Sequence, residues 1–177
     1  MSFTIKADTA GLNGFLDELE GAAKEAVRPA AQVGTQVLYD EVQRNVSRIG
    51  KKTGNLAASI YQVYSQDNSG ALRATYHVSW NVKKAPHGHL LEYGHIQRYA
   101  SYIGRDGKWY TAKRPESHGK KKPRKNAPQA EKDAYYVLRP GGPAQVAARP
   151  FVRPAAAKFP QALDAAEAEL MKRINAK

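Results

Sequence analysis

The stretch LRATYHVSWNVK, residues 72–83, decides the fold class. Leu72, Ala74, Tyr76, Val78, Trp80 and Val82 alternate with Arg73, Thr75, His77, Ser79, Asn81 and Lys83. Successive side chains of a strand point to opposite faces, so this period of two predicts a half-buried antiparallel strand. His77 falls on the polar face and reads as an exposed strand residue. Upstream, Asp67-Asn68-Ser69-Gly70 is a turn, and Ser59 to Ser65 predicts a shorter strand before it.

Earlier in the chain the period changes. Leu12, Phe15, Leu16 and Leu19 follow i, i+3, i+4, i+7, one face of a helix, with Thr9 or Asn13 as a possible cap. Pro29 removes a backbone donor and predicts a break or kink. A second helix is expected from about Ala30 to Val46, burying Ala30, Val33, Gly34, Val37, Leu38 and Val42. The cluster Gly50-Lys51-Lys52-Thr53-Gly54-Asn55 then reads as a turn.

Beyond Ile96 no period is sustained until Arg139. Two aromatic runs, 107–111 and 134–138, flank the polar stretch ESHGKKKPRKNAPQAEK. A structureless loop of that length is uncommon in a compact domain, so 97–140 is read as a hairpin-like inserted arm. Its tip, about residues 114–132, is expected to be flexible in isolation. Val146 to Pro154 predicts a short extended piece, and a final helix carries Phe159, Ala162, Leu163, Ala166, Leu170 and Ile174 on one face. The expectation is one α+β domain over 1–177. It has two N-terminal helices, an antiparallel sheet of about three to five strands with a long inserted arm, and a C-terminal helix packed on one face of the sheet.

The net charge of +12 is unevenly spread: 97–140 holds twelve of the 28 Lys and Arg but only four of the 16 acids. There is no cysteine, hence no disulfide framework and no thiolate metal site. No apolar run approaches the ~20 residues that span a bilayer, and the first residues lack the basic and apolar regions of a signal peptide. A soluble protein made in the cytoplasm is expected.

Only one stretch invites a reading as a metal centre. PHGHLLEYGH, residues 86–95, gathers His87, His89 and His95 around Glu92. His-x-His is a chelating spacing, yet Gly88 and Gly94 make a poor rigid platform, and no HExxH pattern supplies two ligands on a helix. A structural turn explains more. No GxSxG elbow occurs, and Gly141-Gly142-Pro143 lacks the Lys-Ser/Thr of a phosphate loop. No catalytic, cofactor or metal residue is assigned.

Three stretches in order carry a resemblance: TGNLAASI (53–60) after a long helix, LLEYGH (90–95), and ARPFVRPA (148–155) before the final helix. Together they resemble the tailed-bacteriophage neck and tail-completion proteins, the family of the tenth gene product of lambdoid phages, to which lambda's minor tail protein Z is related. The sequence departs from that pattern at His95, where the family often has Thr, in lacking a proline before the Thr-Gly turn, and in its longer basic arm. The resemblance implies a virion protein without catalytic activity or cofactor, assembled in the host cytoplasm. It would form a ring, of about six subunits, at the head–tail junction. Its neighbours would be the head connector or stopper and the tail terminator or tail tube, around a channel for DNA. It also implies a subunit or partner interface at Leu91, Glu92, Tyr93, Gly94, Arg149, Phe151 and Arg153. Glu92 would take Arg149 or Arg153, of the same or a neighbouring chain, as its counter-charge.

The basic arm offers Arg114, Lys120, Lys121, Lys122, Arg124 and Lys125, with His118 and nearby aromatic residues. Cations mixed with π-faces suit nucleic acid. Docking on an acidic neighbouring protein is preferred, because DNA passing a channel must slide, with transient DNA contact as the second role. The alternative to the whole reading is a small basic nucleic-acid-binding protein using 97–140. No membrane partner is expected.

Overall fold

The computed structural model describes residues 10–50 and 54–176, and the side chains from Gly14 onward. Thr9, the side chains of Leu12 and Asn13, and the turn residues Lys51–Thr53 lie outside the described residues. The chain divides into two compact units, one built from the chain up to Gly88 and from Pro150 onward, the other from His89 to Arg149.

In the first unit α1 runs unbroken over Ala10–Ile49 with Pro29 inside it. The expected break is therefore absent, and one helix replaces two. An interior proline costs about 3 kcal/mol or more. Packing opposes that cost: Ala22, Ala26 and Ala30 are buried in one phase on both sides of Pro29, continuing through Gly34 to Val42 and Val46. Breaking the helix at Pro29 would take that stripe out of register, and tertiary packing outweighs local propensity.

The stripe faces α4, Phe159–Ile174. A Cβ on Gly34 would stand 2.6 Å from the Ala162 carbonyl oxygen and 3.0 Å from the Ala166 methyl, so the two helices touch backbone to backbone there. Asn45 meets Phe151 further along, which sets the helices antiparallel. The closing helix thus lies along α1 and not on a sheet face. Its expected face is partly inverted: Ala162 is buried, while Phe159 and Leu163 are exposed.

β1 (Ile60–Tyr64) and β2 (Tyr76–Trp80) pair antiparallel, Ile60 opposite Trp80 and Tyr64 opposite Tyr76. The alternation gives the right phase, with Tyr76, Val78 and Trp80 half-buried and His77 exposed. The strand ends earlier than expected for a local reason. The Asn81 side chain accepts the backbone N–H groups of Lys83 (2.9 Å) and Lys84 (3.3 Å), which turns the chain before Val82 can pair. Arg28 of α1 sits 4.3 Å over the Tyr64 ring, and Gln62 donates to the Gln32 carbonyl, tying the ribbon to the helix.

The second unit begins with α2, Gly88–Tyr93, whose first residue closes the preceding unit. β3 (His95–Gln97) pairs with β6 (Ala144–Val146), and β4 (Ser101–Ile103) pairs with β5 (Trp109–Thr111) as a hairpin. α3 spans Gln129–Tyr135. The described strands therefore form three two-stranded sheets in place of one larger sheet. The α+β class is as expected.

Candidate functional site

The turn at 91–94 is built by backbone contact with the segment after β6. Arg149 N–H donates to the Leu91 carbonyl at 2.7 Å. Gly94 has φ +71°, and a Cβ there would lie 2.7 Å from the Val146 oxygen and 2.9 Å from the Ala148 nitrogen. Only glycine combines that conformation with that closeness. Within the turn Leu91 is half-buried, Glu92 is 1 % exposed and Tyr93 is 66 % exposed. The residue presented outward is therefore Tyr93, with Ile96 of β3 also exposed. Glu92 is an interior, partnered group.

Leu91, Glu92, Tyr93, Gly94 and Arg149 belong to the second unit and are brought together there. Phe151 and Arg153 belong to the first. Phe151 has no exposed surface: its ring meets Trp80 edge-on at 5.3 Å, and its carbonyl accepts from Asn45 Nδ2 at 3.1 Å. Arg153 is exposed. As for the histidines, His87 and His89 are exposed, and His95 Nδ1 is buried without a hydrogen-bond partner. Among the described residues no group of three or more His, Asp or Glu is placed to hold a metal ion.

The arm has a hub that charge counting does not reveal. Asp133 accepts two hydrogen bonds from the Arg98 guanidinium, at 3.0 and 2.8 Å. It also accepts from Tyr99 Oη (2.8 Å) and Gln129 Nε2 (2.8 Å). These bonds, the guanidinium's first, hold its carboxyl well below the usual carboxylate range. Burial is the larger cause raising the Tyr99 hydroxyl, with its bond to Asp133 second. The hub joins the connection between β3 and β4 to α3 across 34 and 35 positions of sequence.

A carboxylate with a depressed folded-state value stabilises the fold above its ordinary value and loses that contribution as pH falls through the folded one. Acid should therefore loosen α3 below about pH 4, near the unperturbed aspartate value. Amide hydrogen exchange of Lys132–Tyr136 against pH measures this. Asp133→Asn should start less protected and lose the acid dependence; an unaltered pH profile in that variant would show that the hub does not hold α3.

From α3 two side chains reach back to the basic loop. Lys132 Nζ donates to the Lys125 carbonyl at 2.8 Å and Tyr135 Oη to the Lys120 carbonyl at 3.3 Å. KKKPRK (120–125) is strapped at both ends, with the Lys121, Lys122, Arg124 and Lys125 side chains exposed. Along β4 and β5, Tyr102 stacks on Tyr110 at 5.8 Å, and Trp109 is exposed. Tyr110 Oη donates to Asp106 at 2.7 Å, fixing the hairpin turn.

A long helix, a small ribbon folded on it and a closing helix make up the first unit, and the motif residues described above serve its turns and packing. Residues 10–94, just under half of the chain, match the family model described as "Bacteriophage HK97-gp10, putative tail-component", and over that stretch the chain is similar to that family. The match covers TGNLAASI and ends at Gly94, before the basic arm and ARPFVRPA. No curated protein and no solved structure matches the chain.

Proposed function

We propose that the chain is a tailed-phage structural protein, a ring-forming, non-enzymatic part of the head–tail junction, about six copies surrounding a DNA channel. The ring would join the head connector or stopper to the tail terminator or tail tube. One observation carries the reading. Among the described residues, twelve hydrophobic ones are buried and six of these are alanine, whereas eighteen large hydrophobic side chains are exposed. A chain that keeps its large apolar side chains outside gains by covering them with other subunits.

The exposed set includes Phe15, Leu16 and Leu19 in the first turns of α1, and residues 14–20 are exposed throughout. Together with Tyr93, which the turn turns outward, they form the proposed subunit contacts. Gly94 and the Arg149 N–H that Leu91 accepts set the turn's shape, Arg153 is exposed, and Phe151 supports its own segment from inside.

Native mass measurement and negative-stain imaging, with and without tail tubes, test the assembly. The wild-type chain should give closed rings. Leu16→Ser with Leu19→Ser should leave the monomer folded, since both side chains are exposed, and remove about 1.5–3 kcal/mol per side chain from each contact. A wild-type chain that stays monomeric under every condition would end this reading.

A further inference from the structure

We infer that the strapped loop Lys120–Lys125 is a binding site for the phosphate backbone of nucleic acid, read without regard to sequence. This goes beyond the assembly reading and holds whether or not the chain forms a ring.

The first ground is an unpaired charge cluster on a defined backbone. Among the described residues, Lys121, Lys122, Arg124 and Lys125 take part in no ion pair. The nearby Asp133 is already occupied by Arg98. The loop that carries these cations is held by Lys132 and Tyr135 at its two ends and by the Ala127 N–H to Arg124 carbonyl bond of 3.0 Å. Its cations are therefore pre-positioned, and a polyanion need not order the backbone in order to bind.

The second ground is shape and lining. Lys121, Lys122 and Arg124 line a concave surface of about 500 Å³ together with Ala127, Pro128 and Glu131. Three cations and Asn126 face one carboxylate, and the wholly apolar residues of the lining are the small Ala127 and Pro128. A protein interface relies on aromatic or large aliphatic anchors at its centre, and this surface supplies none. Phosphates need only cations and polar groups, so the lining favours nucleic acid over the acidic protein partner preferred on the ground that DNA must slide. Long lysine side chains contacting phosphates without base readout let DNA slide, so retention and passage are compatible.

The test is a salt titration of the full chain binding a mixed-sequence duplex. Neutralising three phosphate contacts in K121Q/K122Q/R124Q should reduce the slope of log affinity against log salt by about 2–3 and weaken binding roughly 100-fold at low salt. These side chains are exposed, and circular dichroism melting should be unchanged. The charge-preserving K121R/K122R should keep the wild-type slope, which guards against a variant that simply misfolds. A triple variant with the wild-type slope overturns the proposal. So does displacement of the duplex by polyglutamate at equal charge concentration, which would assign the loop to acidic proteins.

Discussion

Phe151→Ala should destabilise the first unit by about 3–5 kcal/mol, read as a lowered denaturation midpoint with little change in slope. The estimate belongs at the upper end of that range for a reason specific to the site. The cost of a deleted core ring depends on how far the surroundings can collapse into the cavity. Trp80 is the neighbour best able to move, and it is pinned from behind: a Cβ on Gly88 would fall 2.3 Å from Trp80 Nε1. The Phe151 backbone is held as well, through the Asn45 side chain, itself buried. The hole is expected to stay open. Phe151→Leu, which refills most of the volume, should cost about 1–2 kcal/mol. A loss below about 1 kcal/mol for the alanine variant would mean that the Trp80–Phe151 contact does not organise the unit.

Phe151 also shows what a motif can and cannot say. ARPFVRPA drew attention to a segment, but order along a chain carries no exposure, and Phe151, expected at an interface, is the most deeply buried ring of the described residues. The strand at 72–83 shows the complementary case. Its alternation set which side chains face inward, because the period of two is a property of the backbone itself. Its end was set by the Asn81 side chain, a local competitor that alternation cannot register. Pro29 failed as a stop signal because its local penalty is opposed by a stripe of alanines whose worth lies in α4, more than a hundred residues away.

In the arm, the sequence displayed the charge and hid the architecture. KKKPRK is visible to any count of residues. The bonds that shape it run from single side chains to backbone oxygens and from Arg98 to Asp133, 35 positions apart, and such contacts have no periodic signature. Gln129 and Asp133, four apart on α3 and bonded at 2.8 Å, offered the one local hint. The turn at 91–94 lay between these extremes: its place was legible from LLEYGH, while the inward Glu92 and outward Tyr93 required the fold.

That turn carries the second large effect. Gly94→Ala is expected to cost the second unit about 2–5 kcal/mol, the sum of a left-handed conformation and an overpacked contact. The two parts are separable inside one protein. Gly107 has nearly the same conformation, φ +74°, but a Cβ there would meet nothing within 4 Å. Gly107→Ala should therefore lose only about 1–2 kcal/mol, and the excess at Gly94 measures the backbone contact with Val146 and Ala148. Hydrogen exchange of the β3–β6 amides reports both variants. If Gly94→Ala proves no worse than Gly107→Ala, the close approach is not what shapes the turn. If it is worse, the loss should appear in assembly too. Pushing 146–148 away from Gly94 also strains the Arg149 N–H to Leu91 bond, and with it the presentation of Tyr93, while leaving the first unit's own core untouched.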